Sequence, residues 1–96
     1  MTTRQVLVEK VQQQLDDLDR ELQRLELKAD KASEDVRHQW QRHKLALIEQ
    51  RQQLMARLEE AQSVADSHWE HVKQSLLDAR QEFAQAIQDI RRTLGR

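Results

Sequence analysis

The sequence predicts an all-α protein arranged as an antiparallel helical hairpin or coiled coil, with one long helix over about residues 3–62, a shorter one over about 67–94, and a dimer as the expected form. Three observations carry this. Apolar residues recur at Val8, Val11, Leu15, Leu18, Leu22, Leu25, Ala29, Ala32 and Val36, alternating three and four residues apart. A repeat of 3.5 residues keeps one narrow stripe facing a partner helix for as long as it lasts. The only glycine is Gly95 and there is no proline, so the strongest breakers of regular structure are missing before residue 95. Hydrophobic residues make up 38% and charged residues 34%, against roughly 45–50% and 25% in ordinary domains, so the core must be a seam between helices. Fifteen glutamines, with Arg, Glu, Leu and Ala, favour helix, and the β-branched and aromatic residues that a sheet needs are sparse.

The first element runs from about residue 3, and its three-four phase passes through Leu25, Ala29, Ala32 and Val36 without interruption, which favours one helix to about residue 62. Trp40, Leu47, Leu54 and Leu58 continue the apolar positions in its second half. Around Ala61 and Ala65 the spacing changes, and a turn is expected at residues 63–66. Ser67-His68-Trp69-Glu70 then reads as a capping box, with Ser67 as N-cap and Glu70 at the third helical position. The last helix shows its own seam at Trp69, Val72, Leu76, Ala79, Phe83, Ala86 and Ile90, and more loosely Leu94.

Charge is patterned in blocks. Residues 9–35 hold nine acids against five bases, a balance of −4, whereas in 36–58 Arg37, Arg42, Lys44, Arg51 and Arg57 face only Glu49, a balance of +4. Doubling the chain back near residue 33 sets position i opposite about 66 minus i, acidic block against basic block. Val8 then falls near Leu58, Val11 near Met55, Leu18 near Ile48, Leu25 near Trp40 or Gln41, and Ala29 near Val36. Two geometries give this pairing. Residues 28–35 can turn, with Ser33 as N-cap and Glu34 and Asp35 in the next helix's first turn, making a monomeric three-helix bundle. Alternatively the unbroken helix crosses an antiparallel copy near residue 33. The continuous phase favours the second. Folding the last helix back pairs i with about 130 minus i, placing Phe83 near Leu47, Ile90 near Trp40 and Leu94 near Val36. Val8 to Ala32 are then left bare, and Val8–Val36 become a self-association seam.

The segments Thr3-Arg4, Gln14-Leu15-Asp16-Asp17-Leu18, Leu25-Glu26-Leu27-Lys28-Ala29-Asp30 and Asp66-Ser67-His68-Trp69-Glu70-His71-Val72-Lys73 resemble a family of short bacterial coiled-coil proteins associated with stress responses. The resemblance spans nearly the whole chain, and Trp69–Lys73 is its distinctive part. This chain departs from the family pattern at Leu18, where a Trp is common, and in Arg80–Phe83, which lacks another. The resemblance implies a stress-related role and supplies no catalytic residues.

Little in the chain suggests chemistry. Without cysteine there is no disulfide, thiolate nucleophile or thiolate metal site. His38 and His43 stand about 140° apart around a helix, so they cannot chelate one ion. His68 and His71, three apart, could, and Asp35 with His38 has the carboxylate-x-x-His spacing of di-iron bundles, but the seam holds no further inward carboxylates. No metal, cofactor or small-molecule substrate is expected. Ser33, Ser63, Ser67 and Ser75 sit at caps or exposed positions, with no His and carboxylate arranged around them. No phosphate-cradling glycine loop occurs. Trp40 and Trp69 read as core plugs at seam spacing.

The leading function is therefore a non-enzymatic, self-associating helical module of residues 1–96, its partner a second copy or another coiled-coil protein. A peripheral membrane role is the alternative, weakened by three aromatics and many Ala seam positions. Nucleic-acid association through 36–58 and the tail Arg91, Arg92 and Arg96 comes third, opposed by a formal net charge of −1. No stretch has the roughly 20 apolar residues of a membrane span and no apolar leader follows Met1, which leaves a cytoplasmic location as the expectation.

Overall fold

The computed structural model describes residues 2–94; Met1, Gly95 and Arg96, the last belonging to the basic tail, lie outside them. All described regular structure is helical: α1 (Thr3–Asp30), α2 (Glu34–Ser63), a single 3-10 turn (Asp66–His68) and α3 (Trp69–Leu94). The three helices pack side by side into a rod of 50 × 21 × 16 Å, with α2 most heavily engaged with α3 and α1 laid against both. Its radius of gyration, 15.4 Å, exceeds the roughly 12.5 Å of a compact domain of this length.

The expected unbroken helix over 3–62 is not formed. The chain reverses at Lys31–Ser33, and the three-helix arrangement replaces the long helix. Local chemistry supports this reversal. Ser33 is extended at φ −60°, ψ 162°, its Oγ accepts from Val36 N at 3.4 Å, and Glu34 and Asp35 occupy the first turn of α2, where acids favour the helix dipole. Lys31 N and Ala32 N still donate to Lys28 O and Ala29 O, at 3.3 and 3.1 Å, so α1 ends by tightening its last turn. No described residue has positive φ, which is how the turn forms without glycine. Reversal also lets α1 bury its stripe on its own chain, avoiding the translational and rotational entropy that a second molecule would lose.

The acidic and basic blocks do meet, and their ion pairs join residues one turn off the straight-across register. Glu26 accepts from Lys44 at 2.6 Å, and Asp19 accepts from both Nε and Nη2 of Arg51 at 2.6 and 2.9 Å. In each pair the residue numbers add to 70 rather than 66. Helical side chains lean toward their own N-terminus, so in an antiparallel pair the two partners lean in opposite directions and their Cα atoms stand offset. Ile48 and Met55, expected opposite Leu18 and Val11, are not enclosed by the pairing and remain 37% and 43% exposed.

The second junction falls where expected, with Val64 and Ala65 both extended. The capping box does not form. Ser67 lies inside the 3-10 turn, so it lacks the non-helical backbone of an N-cap, and Ala65 precedes that turn without a side-chain cap. A capping box appears instead at α1, where Thr2 Oγ1 accepts from Gln5 N and Gln5 Oε1 accepts from Thr2 N.

Candidate functional site

The heptad residues form the interior of one chain. Val8, Val11, Leu15, Leu25 and Ala29 are buried, and Leu18, Leu22, Ala32 and Val36 are half-buried. From α2 come Trp40, Leu47, Leu54 and Leu58, and from α3 Val72, Leu76, Phe83 and Ile90, all in the same core, with Trp69 half-buried against it. The bare overhang expected over Val8–Ala32 is absent because α3 reaches α1 as well as α2: Arg80 Nη1 donates to Gln14 Oε1 at 3.0 Å, and Arg91 lies 3.5 Å from Glu21. A helix covering two neighbours needs a wider apolar face. Ile87, four residues after Phe83, supplies it and is buried, as are Ala61, Ala79 and Leu94.

Because the seam is internal, Leu22→Asp, which forces a carboxylate against the core, is expected to cost about 1–3 kcal/mol. Gln13→Asp on the exposed face should stay within about 0.5 kcal/mol. Urea denaturation compares them, and equal losses would refute the placement of the seam.

Arg4 holds the far end of the bundle together. Helix α2 ends at Ser63 with no basic residue in its last turn, so its final carbonyls need donors from elsewhere. Arg4, in the first turn of α1, supplies them: Nε donates to Ala61 O at 2.7 Å and Nη2 to Val64 O at 2.6 Å, while Nη1 reaches Asp66 Oδ1 at 3.3 Å. The guanidinium also stacks 5.1 Å from the Trp69 ring centroid. Sequence reasoning met Arg4 only within the family resemblance; a lone cation near a chain end carries no local signal of a C-cap 57 residues away. An open groove of about 700 Å³ runs beside this cluster, lined by Gln5, Glu9, Gln12 and Gln62 among others. The three guanidinium nitrogens that could address a ligand there are already engaged.

The remaining titratable groups are dispersed. All four histidines are exposed. Among the described residues no three His, Cys, Asp or Glu side chains converge as a metal site would require. The Asp19 hydrogen bond, reinforced by its charge, raises Arg51 above the usual arginine value despite partial burial. No helix among the described residues is long and apolar enough to cross a membrane.

The surface feature that stands out is apolar. Leu45 is 75% exposed and Leu27 62%, joining Ile48, Met55 and Val6; all belong to α1 or α2, and α3 contributes none. Leu45, Ile48 and Met55 follow one another at helical spacing, and Ile48 and Met55 alternate with Lys44 and Arg51 along α2. Comparison with known proteins finds no family model, curated protein or solved structure that matches this chain.

Proposed function

We propose that this chain is a non-enzymatic helical association module whose partner is a second copy of itself. The observation that supports this reading is the set of large apolar side chains on α1 and α2 that the bundle leaves in solvent, Leu27, Leu45, Ile48 and Met55. Fully burying one such side chain stabilises by about 1.5–3 kcal/mol. Four of them, each roughly half exposed, offer about 3–6 kcal/mol per copy, against about 4–15 kcal/mol of lost freedom on association. The balance favours a concentration-dependent equilibrium over a permanent dimer. A stress-related setting for this module rests on the resemblance over Asp66–Lys73.

Light scattering with small-angle X-ray scattering on the untagged chain tests the proposal. The expected result is a dilute species of 11.5 kDa that shifts toward twice that mass as concentration rises. Monomer mass persisting to roughly 1 mM, where even a 4 kcal/mol association would show, would rule self-association out.

A further inference from the structure

We infer that α1 is an exchangeable arm: the reversal at Lys31–Ser33 straightens into helix, residues 3–63 become one rod, and α1 of each of two copies packs on α2 and α3 of the other. This goes beyond the surface association proposed above, since it uses none of the exposed apolar side chains. The backbone of the reversal supplies the first observation. Lys31 already lies in the right-handed helical region, at φ −96° and ψ −2°, and Lys31 N and Ala32 N still donate to carbonyls in the last turn of α1. Ser33 has a helical φ of −60° and departs from helix only through ψ, at 162°. Neither glycine nor proline occurs there, and no described residue takes the left-handed conformation that commonly ends a helix.

The apolar phase supplies the second. Ala29, Ala32 and Val36 keep the three-four spacing straight across the reversal, which has no use for it, and Ala32 and Val36 are left half-buried there. In the exchanged pair these positions lie where two antiparallel rods cross, and they face their counterparts in the other copy, completing one uninterrupted seam. The rest of the interface is already built. Glu26–Lys44 and Asp19–Arg51 share one antiparallel register, each pair of numbers adding to 70, and that register is unchanged when the partner helix comes from a second chain. The Arg4 bonds to Ala61 O and Val64 O re-form between copies in the same way. With the contacts shared, dilution favours the closed monomer, which keeps its translational freedom, and concentration favours the pair. Exchange must first lift Val8, Val11, Leu15, Leu25 and Ala29 out of the core, so it is slow.

The full, untagged chain is held at about 1 mM, warmed to just below its unfolding midpoint, cooled and separated by size. The expected product is a dimer that survives dilution and measures about 90 Å by small-angle X-ray scattering, the length of residues 3–63 as one helix, against 50 Å for the closed monomer. Ser33→Ala removes the side-chain cap of α2 in both copies and should raise the association constant about 10-fold or more. Ala32→Gly, tolerated in a turn but unfavourable inside a helix, should lower it about 15–30-fold. Glu26→Cys and Lys44→Cys placed in one chain, which has no cysteine of its own, report the pairing with a short bis-maleimide. Monomer should link within chains and dimer between them, doubling the mass under denaturing conditions. A dimer about 50 Å long that links only within chains overturns the exchange and leaves the surface association standing. Monomer alone, in Ser33→Ala as well, overturns both. A long dimer whose yield ignores both hinge substitutions would place the hinge elsewhere and overturn this one.

Discussion

Phe83→Ala is expected to lower the unfolding free energy by about 3–5 kcal/mol, the largest single-residue effect foreseen for this fold. Phe83 is fully buried on α3, in the core shared by all three helices, so truncation removes its transfer free energy and leaves a cavity that neighbours from three elements cannot collapse together to fill. A domain of this size has only about 5–14 kcal/mol of net stability, so the variant should lose a large fraction of it. Urea unfolding followed by helical circular dichroism reads the shift in midpoint. Glu82→Ala, at the adjacent exposed position, should change the midpoint by the equivalent of about 0.5 kcal/mol or less. Similar losses for the two would mean that α3 does not present Phe83 to the core.

Arg4→Ala is the second large effect, about 2–4 kcal/mol. The Arg4 side chain is 20% exposed and bonds two carbonyls at the end of α2, and Ala61, which carries one of them, is fully buried. Charge-assisted hydrogen bonds of this kind contribute up to about 1.5–3 kcal/mol each, and water admitted at this end of the bundle replaces part of that when the side chain is removed, which holds the net loss at about 2–4 kcal/mol. The ion pair to Asp66 adds little, because that carboxylate is fully solvated. The cation–π contact with Trp69 contributes about 0.5–1 kcal/mol more. Arg4→Lys should recover only part of the loss, since one ammonium cannot span Ala61 O and Val64 O in the fork that a guanidinium provides. Hydrogen exchange would show where the damage falls, with amides around Ser63–Trp69 opening first. Full recovery by lysine would show that charge alone, and not the fork, holds this end.

Much of the interior is legible in the sequence alone. Val8, Val11, Leu15, Leu25 and Ala29 on α1, Trp40, Leu47, Leu54 and Leu58 on α2, and Val72, Leu76, Phe83 and Ile90 on α3 are all buried, because helical periodicity is local and a stripe of apolar residues must be covered by something. Complementary charge blocks likewise announced that the first and second segments would lie antiparallel, and Glu26–Lys44 and Asp19–Arg51 realise it. Ile87 escaped because a two-helix contact needs only a narrow stripe, and the need for a wider one arises only when α3 touches α1 as well. The exposed Leu27 and Leu45 are equally silent in the sequence, since an isolated apolar residue off the seam has no periodic signal.

What the sequence determined by itself was helix throughout the described chain, the interruption near residues 63–66, and the identity of most core positions, all of which follow from interactions within a few turns. Tertiary structure decided what covers the stripe. The three-four phase through Ala29, Ala32 and Val36 favours one long helix but is also compatible with two short ones, and the reversal at Lys31–Ser33 takes hold because covering the stripe within one chain avoids the entropy of recruiting another. The same holds for the one-turn offset of the ion pairs and for Arg4 closing α2. Each depends on where side chains from distant segments reach once the helices are packed, and spacing along a single helix carries no record of that distance.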